Sequence, residues 1–195
     1  MFKSDDEPLR LDPRVKRTRE LLAQAFIDLV KVKGFQAVSV QDITGRAGVN
    51  RATFYAHFQD KYALLDHFVR AGFHQEIEKR MLNSCQYSME NLRLLIVAVC
   101  EFVARTHSNC AQSQGQFETL IETQIKNQVY ELLLKWLEKG ISTGSSPEMV
   151  ATATSWAIYG LAAQWSHQKP APPVDDYSQQ ALPLVAANLQ PARPA

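Results

Sequence analysis

The segment RATFYAHFQDK, residues 51–61, gathers a guanidinium (Arg51), a hydroxyl (Thr53), a phenol (Tyr55), an imidazole (His57) and an ammonium (Lys61), interleaved with Phe54 and Phe58. These are hydrogen-bond donors suited to phosphate oxygens and base edges: a guanidinium pairs bidentately with guanine, and threonine offers a hydroxyl and a methyl to thymine. Enzyme chemistry has no comparable foothold. The chain contains no HExxH, GxSxG, P-loop or dinucleotide fingerprint. His67 and His74 share a helical face and Cys85 follows them, but they complete no ligand motif, and the five histidines fit surface or satisfied core positions. The expectation is therefore no catalytic residue, no metal and no cofactor.

The elements that must position this segment are short helices. Asp12 before Pro13 reads as an N-cap and first helical residue, and Leu21, Leu22, Ala25, Phe26, Leu29 and Val30 recur at helical spacing, so a first helix is expected from about Pro13 to Lys33. Gly34 should stop it in a left-handed conformation. Ser39 and Asp42 resemble a capping box for a second helix reaching about Arg46, closed by Gly48. Asn50 caps a third helix, Arg51 to about His57, and Asp60 caps a fourth that carries Leu64, Leu65, Phe68, Val69 and Phe73. Helices two and three, joined at AGVN, form a helix-turn-helix. Ile43, Ala47, Val49 and Phe54 should point inward, Ala52 should lie near the helix crossing, and Phe58 and Phe26 should close the core. The leftover polar face then projects outward into a groove.

Charge agrees with that placement. Residues 10–61 hold ten Lys/Arg (10, 14, 16, 17, 19, 31, 33, 46, 51, 61) and five acids (12, 20, 28, 42, 60), a net of +5, on a chain whose formal charge is only +1. Residues 83–195 hold seven bases and nine acids, a net of −2. A basic lobe on a near-neutral chain is the electrostatic footprint of a phosphate partner. The chain of 195 residues, 46% apolar, can bury a real core and is not expected to be disordered. It has no apolar run of membrane-spanning length, and its opening residues lack the apolar core of a signal peptide, so a cytoplasmic protein without a membrane partner is expected. Cys85, Cys100 and Cys110 form no CxxC pair and read as free thiols.

The stretch SVQDITGRAGVNRATFYAHFQDKYAL resembles the DNA-binding signature of the TetR family of bacterial transcriptional regulators, over roughly residues 15–65. The pattern is a glycine-bearing turn, a recognition helix ending in Tyr-x-His-Phe, and a lysine three residues beyond the Phe, after an amphipathic first helix. Thr44 stands where the family often has alanine and Ala52 where it often has glycine. The resemblance implies an all-α protein: an N-terminal three-helix DNA-binding head, joined by a fourth helix to a C-terminal helical domain for ligand binding and dimerisation. The expected boundaries are a flexible N-terminus (1–12), the head (13–60), a connecting helix (61–82) and the effector-binding and dimerisation domain (83–195).

Roles follow residue by residue. Arg51, Ala52 and Thr53, at the start of the recognition helix, are candidates for base reading, with phosphate binding an equal alternative for Arg51. Tyr55 and His57 are implied backbone clamps, though alone they would read as a rim aromatic and a capping histidine. Lys61, at the positive end of helix four, is a candidate phosphate anchor. Thr18, Arg19, Ser39 and Gln41 are further phosphate candidates.

Beyond residue 82 the sequence reads as more helices: about Met89–Thr106; a segment marked by Phe117, Leu120, Ile121 and Ile125; a separate one marked by Tyr130, Leu133, Leu134, Trp136 and Leu137, ending at Gly140; about Glu148–Gln168 behind Ser146 and Pro147; and about Asp176–Asn188, which Pro183 should kink or split. The last two helices, with Trp156, Tyr159, Gly160, Ala163, Leu182 and Val185, are expected to pair with a second copy as a homodimer. The resemblance also implies a small-molecule effector of unknown identity, for which Phe102, His107, Phe117, Gln124, Trp136 and Tyr159 are candidate lining residues, each more readily read as packed core. The functional expectation is a repressor that binds a palindromic operator in double-stranded DNA as a dimer and is released by its effector. The rivals are an activator or a protein-interaction module using the same head.

Overall fold

A computed structural model describes residues 12–80, 82, 86–109, 116–138 and 145–189. Residues 1–11, Cys85, Cys110, Gly140 and the side chain of Phe117 lie outside the described residues. The order is α1 (Pro13–Ala37), α2 (Val40–Ala47), α3 (Arg51–His57), α4 (Lys61–Lys79), α5 (Met89–Asn109), α6 (Gln116–Glu138), α7 (Pro147–His167) and α8 (Val174–Ala186), followed by a 3-10 turn, Ala187–Leu189. No strand occurs among the described residues. The chain divides into two compact units, Met1–Leu65 and Asp66–Ala195, so the division falls within α4.

The first unit is built from local signals. Asp12 accepts from the Arg14 amide and Pro13 opens α1. Gly34 breaks α1 with φ 75 and ψ 154, a positive φ that favours glycine, but in the extended rather than the left-handed helical region; three further residues then turn helically before Val38. At α2 the capping box is complete: Ser39 Oγ accepts from the Asp42 amide, and the Asp42 carboxylate accepts from the Ser39 amide. Gly48 closes α2 in the left-handed conformation, φ 68. Asn50 caps α3 through the Thr53 amide. Leu22, Phe26, Val30, Phe35, Ile43, Phe54 and Phe58 are buried, and Phe26 meets Phe35 edge to face at 6.0 Å. Ala47 and Val49 are half-buried, while Ala52 is exposed and does not lie at a helix crossing.

In the second unit α7 packs on α5 and α6, and α8 packs on α5. The two helices expected on either side of residue 127 are one continuous α6. Lys126, Asn127 and Gln128 interrupt the apolar run but include no glycine or proline, and Ile121, Ile125, Val129, Leu132, Leu133 and Trp136 keep a single buried face through them. Ser146 caps α7 through the Met149 amide, with Pro147 at its first position. Pro183 does not split α8, which runs on to Ala186. Proline lacks the N–H that would bond to the Gln179 carbonyl, and Gln179 is exposed, so water can take that acceptor. At α4–α5, a Cβ on Gly72 would meet the Phe102 ring at 3.1 Å, and Phe73 packs edge to face on Phe102 at 5.4 Å. Beside them Glu76 is buried and takes ion pairs from Arg80 (2.8 Å), Arg105 (2.8 Å) and Lys79 (3.0 Å).

Candidate nucleic-acid interface

Helix α3 is held to the core by one side, with Phe54 fully buried. Its opposite side presents Arg51, Ala52, Tyr55 and Ala56 to solvent, with Thr53 and His57 half-buried. Tyr55 is 50% exposed and leans edge-on against Phe54 at 5.5 Å. Arg51 stacks over the Tyr55 ring at 5.9 Å and its Nη2 donates to the Tyr55 hydroxyl at 3.4 Å, so the guanidinium and phenol present one joint surface. Thr53 donates its hydroxyl to Asn50 Oδ1 at 2.9 Å; facing a base it offers an acceptor and a methyl.

Around α3 the basic groups divide into paired and open ones. Arg46 donates to Asp28 through Nη2 (2.8 Å) and Nε (3.2 Å), and Gln24 donates to the same carboxyl. The Arg46 bond, then the Gln24 bond, holds the Asp28 pKa below its ordinary value. Lys33 pairs with Asp42 at 2.7 Å, and that bond, followed by the Ser39 bonds, lowers the Asp42 pKa. Arg19 lies over the Phe58 ring at 5.7 Å with a buried Nε that has no hydrogen-bond partner among the described residues. Arg14, Lys16 and Arg17 are exposed on the first turns of α1. These three were not among the expected contacts, although the run RVKRTR showed them in the sequence.

Three expected phosphate contacts stand differently. Thr18 donates its hydroxyl to the Arg14 carbonyl at 2.9 Å, a bond internal to α1. Ser39 donates to the Asp42 carboxylate at 2.6 Å, so its proton belongs to the cap and faces an acid. Lys61 is the most enclosed of the three. Its Nζ donates to the carbonyls of Phe35 (3.0 Å), Gln36 (3.1 Å) and Val38 (3.0 Å), inside the unit. The first amides of α4 are also occupied, because Asp60 Oδ1 accepts from Tyr62 and Ala63, both at 2.8 Å. Gln41 remains exposed at the start of α2.

The second unit places its candidates less simply. Phe102 is buried against Gly72 and Phe73. Tyr159 is buried, which pushes its phenol pKa up to about 12. Trp136 Nε1 and Gln124 Oε1 are buried without hydrogen-bond partners among the described residues. His107 bonds Ser166 Oγ at 2.9 Å and stacks on His167 at 5.0 Å; burial first, and then His167, lowers its pKa. Phe102, His107, Gln124, Trp136 and Tyr159 line neither of two grooves in this unit. One, of about 380 Å³, lies between α6 and α7 and includes Lys126, Tyr130 and Trp156. The other, of about 110 Å³, lies between α4 and α6, with Phe73, Ile77 and Leu132 as apolar walls and Gln128, whose Nε2 is buried and has no partner among the described residues. Of the expected dimer residues, Trp156 is 62% exposed and Gly160 is exposed, Ala163 and Leu182 are half-buried, and Tyr159 and Val185 are buried within the chain. The exposed apolar stripe runs instead through Met149, Ala153, Trp156 and Gly160, with Leu184 on α8. His74 pairs with Glu78 at 3.0 Å, and no cluster of three or more His, Cys, Asp or Glu that could hold a metal occurs among the described residues. No helix among them is long and apolar enough to cross a membrane.

Comparison with known proteins places this geometry. Residues 19–68 match the family model "Bacterial regulatory proteins, tetR family". The HTH-type transcriptional regulator YxbF of Bacillus subtilis is 39% identical over 62 residues, 31% of this chain and 16% of that protein. DhaS of Lactococcus lactis, an HTH-type activator of the dhaKLM operon, is 34% identical over 80 residues, 41% of each chain. The chain thus spans less than half the length of these two relatives. KstR2 of Rhodococcus jostii, an HTH-type transcriptional repressor, is 25% identical over 191 residues, 89% of this chain and 91% of that one. Among solved structures, the regulator FadR of Bacillus subtilis in complex with stearoyl-CoA shares the fold, with a TM-score of 0.58, 19% identity, and 88% of this chain and 99% of that chain covered. Residues 19–68 thus match the TetR family of bacterial regulatory proteins, and the all-helical fold is shared along most of the chain's length with FadR.

Proposed function

We propose that this protein is a cytoplasmic transcriptional regulator that binds double-stranded operator DNA as a homodimer, acts as a repressor, and is released by a small-molecule effector. The observation that carries the reading is the capped α3, whose Arg51 and Tyr55 form a joint polar surface turned to solvent while Phe54 anchors the helix from behind. In such a motif the recognition helix enters the major groove, and Arg51, Ala52 and Thr53 sit where base edges are read. Tyr55, His57, Gln41 and Arg19, with Arg14 and Arg17, supply donors for the backbone. One seven-residue helix makes few contacts, so two copies on a two-fold axis, pairing through Met149, Ala153, Trp156, Gly160 and Leu184, are needed to read a palindrome.

The effector site we favour is the groove between α4 and α6, where the buried Gln128 Nε2 lacks an acceptor that a ligand oxygen would provide. An effector shifts such a protein only through its different affinity for two conformers. Activation is the second reading, favoured by the activator DhaS among the relatives. Repression is preferred because the repressor KstR2 is matched over 91% of its length and DhaS over only 41%. The test is selection of bound duplexes from a random pool with the full chain, followed by candidate effectors. Enrichment of a palindrome supports the proposal; a pool that stays random at low ionic strength overturns it.

A further inference from the structure

We infer that Lys61 is a positioning residue that fastens the entrance of the helix-turn-helix, and that it makes no contact with DNA phosphate. An ammonium at the first residue of a helix beside a DNA-binding motif invites the opposite assignment, since cation and helix dipole would act together on an anion. Two independent features remove that site. The three N–H bonds of Lys61 go to the carbonyls of Phe35, Gln36 and Val38 at 3.0, 3.1 and 3.0 Å, which is the full donor capacity of an ammonium. The amides of Tyr62 and Ala63 already bond Asp60 Oδ1, so a carboxylate holds the place a phosphate would take.

The target of the tripod explains its use. The carbonyls of Phe35, Gln36 and Val38 follow the kink at Gly34, where Phe35 O also accepts from the Val38 amide at 3.3 Å, and the next residue, Ser39, is the N-cap of α2. Lys61 gathers those carbonyls on one nitrogen and packs over the Phe35 ring at 4.6 Å and the Tyr62 ring at 5.8 Å. Burial lowers its pKa, yet three simultaneous donations require the protonated form, since a neutral amine has only two N–H bonds. The residue therefore fixes where the chain leaves α1, and with it where α2 and α3 begin.

The inference rests in part on the DNA-binding reading, and the experiment separates the two. Lys61→Met and Lys61→Arg are compared with the wild-type full chain in thermal melting and in binding to a random-sequence duplex across a salt series. Arginine keeps the charge but its planar fork cannot aim three donors into one tripod. Both variants are expected to melt lower, by about 5 °C. Both are expected to keep the wild-type slope of log affinity against log salt, whereas loss of a lysine–phosphate contact would reduce that slope by about one. A reduced slope for Lys61→Met, or a wild-type melting temperature for either variant, overturns the inference. If the wild type binds no duplex at all, the DNA reading fails, while the melting arm still decides whether Lys61 is the fastener.

Discussion

In the first unit α1, α2 and α3 each begin on a side-chain cap, Asp12, Ser39 and Asn50, and a few aromatic rings fill the space between them. In the second unit α4 and α5 are registered by a buried carboxylate, Glu76, ringed by Lys79, Arg80 and Arg105 beside the Gly72–Phe102 approach. Caps act between residues two or three apart, so the first unit can set its helix boundaries before any tertiary packing. The Glu76 cluster adds Arg105, far away in sequence, to the local pairs with Lys79 and Arg80, and is complete only when α4 and α5 are already paired. A recognition surface that must match DNA spacing benefits from the first kind of construction.

The sharpest way to break this comparison is to empty the first unit's core. Phe54→Ala removes a fully buried ring shared with Tyr55 and Phe58, and should destabilise the protein by about 3–5 kcal/mol. Urea unfolding would check it, and an unchanged midpoint would mean the caps alone hold the head.

The corresponding perturbation in the second unit is Glu76→Gln, which leaves Arg80, Arg105 and Lys79 without their shared carboxylate. The expected loss is about 3 kcal/mol, the lower end for a broken buried pair, because Lys79 and Arg105 are themselves well exposed. A pH signature should accompany it. Burial on its own would raise the Glu76 pKa, and the bonds from Arg80, Lys79 and Arg105 outweigh that and bring it to about 2, against 4.5 for the free group. A depressed carboxylate pKa gives stability that is complete above pH 4.5 and is lost as pH falls from 4.5 towards 2. Acid titration of stability should therefore be shallower in Glu76→Gln than in the wild type; parallel curves would remove Glu76 from the account.

Smaller still is Asn50→Ala, which deletes one cap and should cost about 1 kcal/mol. It also frees the Thr53 hydroxyl from Asn50, so the preferred duplex sequence should alter if Thr53 reads a base. Unchanged preference in a repeated duplex selection would count against Thr53 as a reader.

The same contrast explains what could be read from sequence. Ser39 and Asp42, Gly48, Asn50 and Asp60 are local signals, and the helix boundaries they imply match α2, α3 and the start of α4. The family pattern in residues 51–61 pointed to the candidate interface. The bonds of Lys61 to the carbonyls of residues 35–38, in contrast, lie out of sequence reach. In the second unit the sequence suggests two helices where one α6 runs, because nothing local shows that Val129 continues the buried face of Ile125. Small residues on α7 marked a close-packed helix, yet whether Tyr159 or Trp156 faces outward depends on how α5 and α6 cover it. The groove between α4 and α6 unites residues more than fifty apart and carries no motif.

Charge supplies the finest distinction. The formal +5 of residues 10–61 overstates the field a duplex meets, because Lys33 is paired with Asp42, Arg46 with Asp28, and Lys61 is turned inward. Exposed pairs of this kind are worth about 0.2–1 kcal/mol, so Asp28→Asn should change stability little. It should nevertheless remove one negative charge from the basic lobe and free Arg46, whose side chain is 54% exposed, for a phosphate. Binding to a random-sequence duplex at low salt should therefore tighten several-fold, and the salt dependence should steepen as one more counterion is released. Tightening without a steeper slope would indicate a general field effect with Arg46 uninvolved. Weaker binding would mean that the Asp28–Arg46 pair is needed to hold α2 against α1, placing a long-range ion pair among the devices that shape the head and narrowing the difference between the two units.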